Sequence, residues 1–508
     1  MRRSFLTLIF ACSGLAAFSQ QAYNILNYGA KSGLNYSNTL SIQHAIDAAA
    51  SNGGGKVVIP AGNFITGPVI LKSNVELHLA NDAVLLGSAK RLDYSEDKMS
   101  IISAQEQHNI AVTGNGIIDG QGRDLVENTL LLLRQGKIED KEWLSKRPTE
   151  KNRPNLVYFK DCRHIRMTGI TLKNAASWVQ NYKECDDVVI DSMKVHSTAY
   201  WNNDGIDIVD SKNVKITNSY FNASDDAICL KSENPQASCE NISVENCTVR
   251  SSASGFKLGT GSVGGFKNIT VKNLTVFDTY RSAIALETVD GAYLQDVDIR
   301  HVVGKNTGNA IFIRLGHRNK DAKFSSLRNI FIDDVKVEVP SGKPDIGYPM
   351  EGPPPKVAPH NLIPASIVGL PGHPVQNVTL QNIEIIYGGG AKKELAYIST
   401  DSLATVTENA AGYPEFTMFG ELPAWGLYIR HTEGIRLSNI KLSYKQDDFR
   451  PALIADDVKD LSLKDLNIPT SKSAAVIVLN NVINPITDNI ILPVSNKDGI
   501  LIQKKQGD

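Results

Sequence analysis

Apolar and polar positions alternate with period two along much of this chain, the spacing of strands with one buried face. The clearest copies are NNDGIDI from Asn202, SDDAICL from Ser224, SGFKLGT from Ser254, SAIALET from Ser282 and NAIFIRL from Asn309. Each holds two large apolar residues one position apart: Ile206 and Ile208, Ile228 and Leu230, Phe256 and Leu258, Ile284 and Leu286, Ile311 and Ile313. Successive pairs start 22, 28, 28 and 27 residues apart. A near-constant period with one strand at the same phase of every repeat marks a solenoid. Its strands stack ~4.8 Å apart in a parallel ladder, so residues one repeat apart become neighbours.

A second strand recurs as HNIAV at His108, RHIRM at Arg163, KNVKI at Lys212, ENISV at Glu240, KNITV at Lys267 and onward to KDLSL at Lys459. Asn, Asp or Gly recurs at the turn before its β-branched residues, as tight corners demand. The two series predict an all-β fold, a right-handed parallel β-helix whose coils bury their apolar face inside. An open coil end would expose unpaired strand edges. Residues 38–51, with Asn38 as N-cap and Leu40, Ile42, Ala45, Ile46 and Ala49 on one stripe, predict an N-terminal capping helix over that end. Three segments break the rhythm and read as insertions: 122–154, charged and helical in pattern; 340–374, rich in Pro and Gly; and 387–425, with Gly388, Gly389, Gly390 and several aromatics. The continuous repeat makes residues 20–508 a single domain.

Charge is almost balanced, with 53 basic and 54 acidic residues among 508 and no basic run, which argues against nucleic acid as a partner. Residues 1–19 combine Arg2 and Arg3, an apolar run from Phe5 to Ala17, and small residues at Ala17 and Ser19. That pattern predicts a secretory signal peptide too short to span a membrane, and hence an exported protein, periplasmic or extracellular. Cys12 fits a lipoprotein signal poorly because Phe10 and Ala11 precede it. Export permits disulfides, and Cys239 with Cys247 is the natural local bridge. The alternative is that Cys162, Cys185, Cys229, Cys239 and Cys247 are buried thiols in the coil stack. No spacing resembles a zinc site, and neither a metal nor a cofactor is expected.

At NNDG with SDD one coil later, at GIIDGQG from Gly116, and at YNILNYGA and GGGKVVIPAGNF in the first coils, the chain resembles glycoside hydrolase family 28. That is the polygalacturonase and rhamnogalacturonase family of β-helix enzymes, and the resemblance runs from about Tyr23 to about Leu315. It implies hydrolysis of glycosidic bonds in pectin-type, galacturonic-acid-containing polysaccharides or oligosaccharides. An inverting hydrolase needs a carboxylic acid to protonate the leaving oxygen and a carboxylate on the other side to activate water, about 6.5–9.5 Å apart. By motif, Asp225 is the general acid, while Asp204 and Asp226 hold and deprotonate the water. Crowding three carboxylates raises at least one pKa, as a general acid requires. The plainer alternative is an Asx ladder that caps turns.

Two motifs of that family are missing. Ser254 stands where a histidine of Gly-His-Gly would order the carboxylates, and Ala285, Leu286 and Glu287 stand where Arg-Ile-Lys would bind the substrate carboxylate. The register offers replacements: Lys257 one coil before Ala285, Arg314 one coil after Glu287, and Lys231 two coils before it. The expected substrate-binding residues are therefore Asn203, Lys231, Ser254, Lys257, Glu287 and Arg314. Lys257 and Arg314 would hold an acidic sugar, unless the two cations and Glu287 simply form a salt-bridge ladder. Tyr348, Tyr413, Phe416, Phe419 and Trp425 either stack on sugar faces or pack the insertions onto the barrel. Insertions that wall the cleft favour attack from a chain end. Two other readings stay open: a β-helix lyase with Lys257 as base, and a non-catalytic carbohydrate-binding β-helix.

Overall fold

The structure, a computed structural model, describes residues 21–503 except 98, 354–362, 391, 397 and 497. The expected signal peptide lies outside the described residues. The strands pair in parallel and coil after coil, forming the parallel β-helix that the repeats predict. Ile228, Phe256, Ile284 and Ile311 are in register on successive strands, as are Ile208, Leu230, Leu258, Leu286 and Ile313. All of these side chains are buried, so each coil's apolar pair stacks on the next and builds one continuous interior.

Corners between strands are made by Asn, Asp and His in the left-handed region, where a short polar side chain is tolerated. Asn213, Asn241 and Asn268 have φ of 54°, 58° and 55°. Their amides join into a ladder: Asn268 Nδ2 donates to Asn241 Oδ1 (3.1 Å) and Asn241 Nδ2 to Asn213 Oδ1 (3.0 Å). The second repeated strand thus carries its corner asparagine for two reasons at once, backbone conformation and stacking of coils.

Helix α1, Thr39–Ser51, buries Ile42, Ala45, Ile46 and Ala49 against the strands Ala22–Asn24 and Gly55–Ile59. Two corrections apply to its N-terminus. Leu40, placed on the buried stripe from sequence, is exposed, because two residues before Ile42 is nearly the opposite side of a helix. Asn38 holds the N-cap position as expected, but its side chain does not cap the helix; its Oδ1 accepts from Lys31 N (2.7 Å) and its Nδ2 donates to Ile65 O (3.3 Å). It ties the helix to the first coils instead.

The insertion at 122–154 opens with α2, Gly122–Arg134, which buries Leu125, Val126 and Leu133. The segment 340–374 is only partly an insertion. Ala365–Val368 is a coil strand, paired with Phe312–Arg314 on one side and Leu427–Arg430 on the other. In 387–425, Phe416, Phe419 and Trp425 are buried, the first two packing on Tyr280 and Phe312 and the third on Tyr387. These three rings anchor the insertion to the barrel, whereas Tyr413 is left 46% exposed.

The expected Cys239–Cys247 bridge is absent. Cys162, Cys185, Cys229, Cys239 and Cys247 are all free and buried. Cys239 Sγ donates to Lys231 O (3.2 Å), while Cys247 Sγ lies at another corner beside Glu245 O (3.5 Å). Alkylation of the denatured protein without reductant is accordingly expected to label both; a Cys239–Cys247 cross-linked peptide in the mass spectrum would contradict the fold's register.

Candidate active site

The turn preceding each repeated strand brings Asp204, Asp226 and Ser254 to one position on three successive coils. Gly205 N donates to Asp226 O (2.9 Å) and Ala227 N to Ser254 O (2.9 Å), which fixes that register. Asp225 stands one residue earlier, level with Ala253 and Arg281, whose N donates to Ala253 O (2.8 Å). One oxygen from each of Asp204, Asp225 and Asp226 lies within 4.8 Å of the others. This is closer than the about 6.5–9.5 Å expected for carboxyls on opposite sides of a sugar. The cause is the ladder itself, since residues on adjacent coils are one strand step apart.

Asp226 is gripped at both oxygens. The Ser254 amide donates to Oδ1 (3.0 Å) and Lys257 Nζ to Oδ2 (3.0 Å). Lys257 also donates to the Tyr413 hydroxyl (3.3 Å), lies 3.8 Å from Glu287 Oε2, and is itself 1% exposed. Lys231 Nζ donates to Asp204 Oδ2 (3.0 Å), to Asp207 Oδ1 and to Cys229 Sγ (3.3 Å), and covers the Trp178 ring. Asp204 Oδ1 is buried without a hydrogen-bond partner among the described residues. Asp225 is the most open of the three carboxylates, and Asn202 Nδ2 donates to its Oδ2 (3.4 Å). Asn202 Oδ1 in turn accepts from Arg147 Nε (3.0 Å) and Arg153 Nη2 (2.9 Å), so the first insertion supports the group beside Asp225.

These contacts set distinct proton affinities. Burial pushes Asp204 up to about 7, with Asp207 adding to it and Lys231 opposing. Asp225 is also pushed up to about 7, by burial first and then by the charges of Asp204 and Asp226. Asp226 goes the other way: burial would raise it, but Lys257, Arg281 and Lys231 together hold its carboxyl below the usual range. Burial likewise pushes Glu287 up to about 7 and Asp207 to about 6. For Lys257 burial works against the charge, yet Asp226, Tyr413 and Glu287 outweigh it and keep the ammonium protonated. Lys231 is kept protonated in the same way by Asp204 and Asp207. Neither lysine is available as a base.

The residues expected at the site fall into two groups. Asp204, Asp225, Asp226, Lys231, Ser254, Lys257 and Glu287 come together, although Ser254 serves Asp226 through its backbone amide. Asn203 and Arg314 do not face the cleft. Asn203 is fully buried, accepts from Ser197 Oγ (2.8 Å) and donates to Ser177 O (3.0 Å), shaping the turn that presents Asp204. Arg314 donates to Gly369 O (3.0 Å) and Glu408 O (2.7 Å) and packs on Phe419, so it pins the third insertion. The expected ladder therefore stops at Lys257 and Glu287. Two contributors were not singled out from sequence, Asp207 and Arg281, while Asn202 lies within the NNDG motif without a role of its own and Tyr413 was expected only to stack on sugar or pack an insertion. Asp207 had a signal, as the outward residue of the strand that carries Asp204; Arg281 had a weaker one, sharing the phase of Asp225 two coils on.

Among the described residues, two side-chain sets could by distance hold a cation, Asp204 with Asp207 and Cys229, and Asp204 with Asp225 and Asp226. In the first, Lys231 Nζ already occupies the shared position.

A parallel β-helix with an acid kept protonated beside a carboxylate kept ionised is the arrangement of a carbohydrate hydrolase built on this fold. A family model for Glycosyl hydrolases family 28 matches residues 51–345, and the chain belongs to that family. It is 30% identical over 249 residues to an exo-poly-alpha-D-galacturonosidase of Dickeya chrysanthemi, a match covering 40% of this chain and 41% of that protein. An exopolygalacturonase of Zea mays is 25% identical over 336 residues, covering 62% of this chain and 75% of its own. Among solved structures, a family 28 exopolygalacturonase of Yersinia enterocolitica shares the fold with TM-score 0.59 at 18% identity, covering 94% of this chain and 79% of its own. The surface adhesin PfbA of Streptococcus pneumoniae shares it too, with TM-score 0.50 at 14% identity over 96% of this chain and 94% of its own. Function therefore rests on the site rather than on the coil.

The raised carboxyls have a stability consequence. Asp204 and Asp225 ionise at 3.8 when unfolded and at about 7 when folded, so between these values the folded chain binds more protons. Their contribution to stability is present below pH 3.8 and lost as pH rises through about 7. Asp225→Asn is expected to melt higher than the wild type at pH 8 by a few degrees, with the gap closing toward pH 4. A lower melting temperature for the variant at pH 8 would contradict the assignment.

Proposed function

We propose that this protein is an exported, exo-acting hydrolase of pectin-type polysaccharides or oligosaccharides that works with inversion. Asp225 is the general acid: it is the most open of the three carboxyls, carries a proton near neutral pH, and stands at the mouth of the cluster. Asp226, kept ionised by Lys257, takes the proton of the attacking water, and Asp204, itself protonated below about 7, helps hold that water. The observation that carries this reading is the buried, unpartnered Asp204 Oδ1. Such an oxygen costs free energy unless it finds a hydrogen-bond partner, and in this reading the attacking water is that partner. The nearest carboxyl oxygens are closer than the usual inverting spacing, but both oxygens of Asp226 are already engaged, which suits it to water activation rather than to bonding with a sugar carbon, and inversion is proposed on that ground.

Exo action is supported by the insertions, which bring Tyr413 and Met350 to the cleft walls: Ser252 Oγ, two residues before Ser254, donates to Met350 O (2.7 Å). The relatives named exo-poly-alpha-D-galacturonosidase and exopolygalacturonase favour the same mode and the galacturonan substrate. Export is supported by the pattern of residues 1–19. A lyase is disfavoured by the two protonated lysines, and a pure binding role by the divided proton affinities of the carboxyls.

Asp225→Asn is expected to lower kcat by about 10²–10⁴ with little change in KM, measured on oligogalacturonides. Proton NMR of fresh product is expected to show the anomer opposite to the substrate linkage; the same anomer would overturn inversion, and unsaturated product would overturn hydrolysis. Activity is expected to fall as pH rises through about 7, where Asp225 loses its proton. Lys257→Met removes the ammonium that keeps Asp226 ionised, so the acid limb of the profile is expected to move to higher pH.

A further inference from the structure

We infer that Arg281 is the residue that receives the carboxylate of an acidic sugar, on a shelf completed by Tyr413 and Glu415 of the third insertion. The inference rests on the hydrolase reading above and names what the same site recognises.

Asp225, Ala253 and Arg281 occupy one register position on three successive coils. Ala253 between them carries only a methyl, so no long side chain of the middle coil stands between Asp225 and the guanidinium, about two strand steps away. Three cations surround the cluster, and two are already spent internally: Lys231 on Asp204 and Asp207, and Lys257 on Asp226. Arg281 has a single ion pair among the described residues, to Glu415 Oε2 at 3.6 Å, and its Nε makes no hydrogen bond. Its side chain remains 15% exposed, against 1% for Lys257.

The shelf is held from the insertion. Tyr413 lies with its ring 5.7 Å from the Arg281 guanidinium and 5.4 Å from Lys257 Nζ, and is itself open to the cleft. Glu415 is fixed by Thr417 Oγ1 (2.7 Å), and Tyr280 meets Phe416 edge to face at 5.7 Å, locking the insertion beside Arg281. A planar guanidinium with donors unspent matches a carboxylate in two parallel hydrogen bonds, a geometry an ammonium cannot supply. The exposed Tyr413 ring offers the flat apolar face on which a pyranose stacks. A hydroxymethyl or methyl-ester group at the same place would leave the guanidinium with no anion beyond Glu415.

The test is calorimetric binding of tri-galacturonic acid and of its methyl ester to Asp225→Asn protein, with and without Arg281→Gln. The acid is expected to bind at least tenfold tighter than the ester, Arg281→Gln to abolish that preference, and Arg281→Lys to restore part of it. Equal binding of acid and ester, a preference that survives Arg281→Gln, or no binding of either ligand would overturn the inference. Because the readout is binding, it separates from the reaction: an acid preference lost in Arg281→Gln, alongside wild-type protein that cleaves no oligogalacturonide, would overturn the hydrolase reading and leave the carboxylate shelf standing.

Discussion

Parallel register at one strand step per coil is the constraint on which everything else here depends. Backbone hydrogen bonding fixes the step, and a slip of a single residue would turn every apolar pair to the outside. The stacks through Phe256 and Leu258 make such a slip expensive, because each coil carries its pair at the same phase. The same rigidity carries the chemistry. Asp204, Asp226 and Ser254 are 22 and 28 residues apart in sequence yet adjacent in space, with no loop flexibility between them.

That closeness carries a cost. Like charges one strand step apart, in a partly dehydrated setting, resist ionising together. The protein answers by splitting the cluster into unlike partners. Asp226 receives Lys257 and a backbone amide and stays charged, while Asp225 receives only neutral donors, the Asp226 amide (3.0 Å) and a long bond from Asn202, and keeps its proton. Asp204 and Asp207 share one ammonium. Two carboxyls of one chemical type are thereby given opposite roles by their surroundings, which is what acid and base catalysis at one pH requires.

The barrel supplies position and the insertions supply surroundings. Arg147 and Arg153 come from the first insertion and support Asn202; Met350 comes from the second; Tyr413 and Glu415 come from the third. A coil repeat alone presents a flat open strip, as suits an adhesin as well as an enzyme. The three insertions bring to the cluster side chains that the coil repeat by itself does not carry.

The fold, the coil order and the acidic trio were all legible in the chain, because period-two alternation and a repeat of fixed phase map directly onto a ladder whose step is known. The register even placed Lys257 one coil from Ala285, as the structure has it. What the sequence could not decide was where long side chains end. Arg314 and Lys257 sit at comparable outward positions, yet one turns to the carbonyls of Gly369 and Glu408 and the other to Asp226. That choice depends on which insertion packs above each coil, a contact between residues about a hundred or more positions apart that no local pattern records. Arg281 was hidden for the same reason: it lies outside the repeated motif and acquires its place only when Tyr413 and Glu415 fold down beside it.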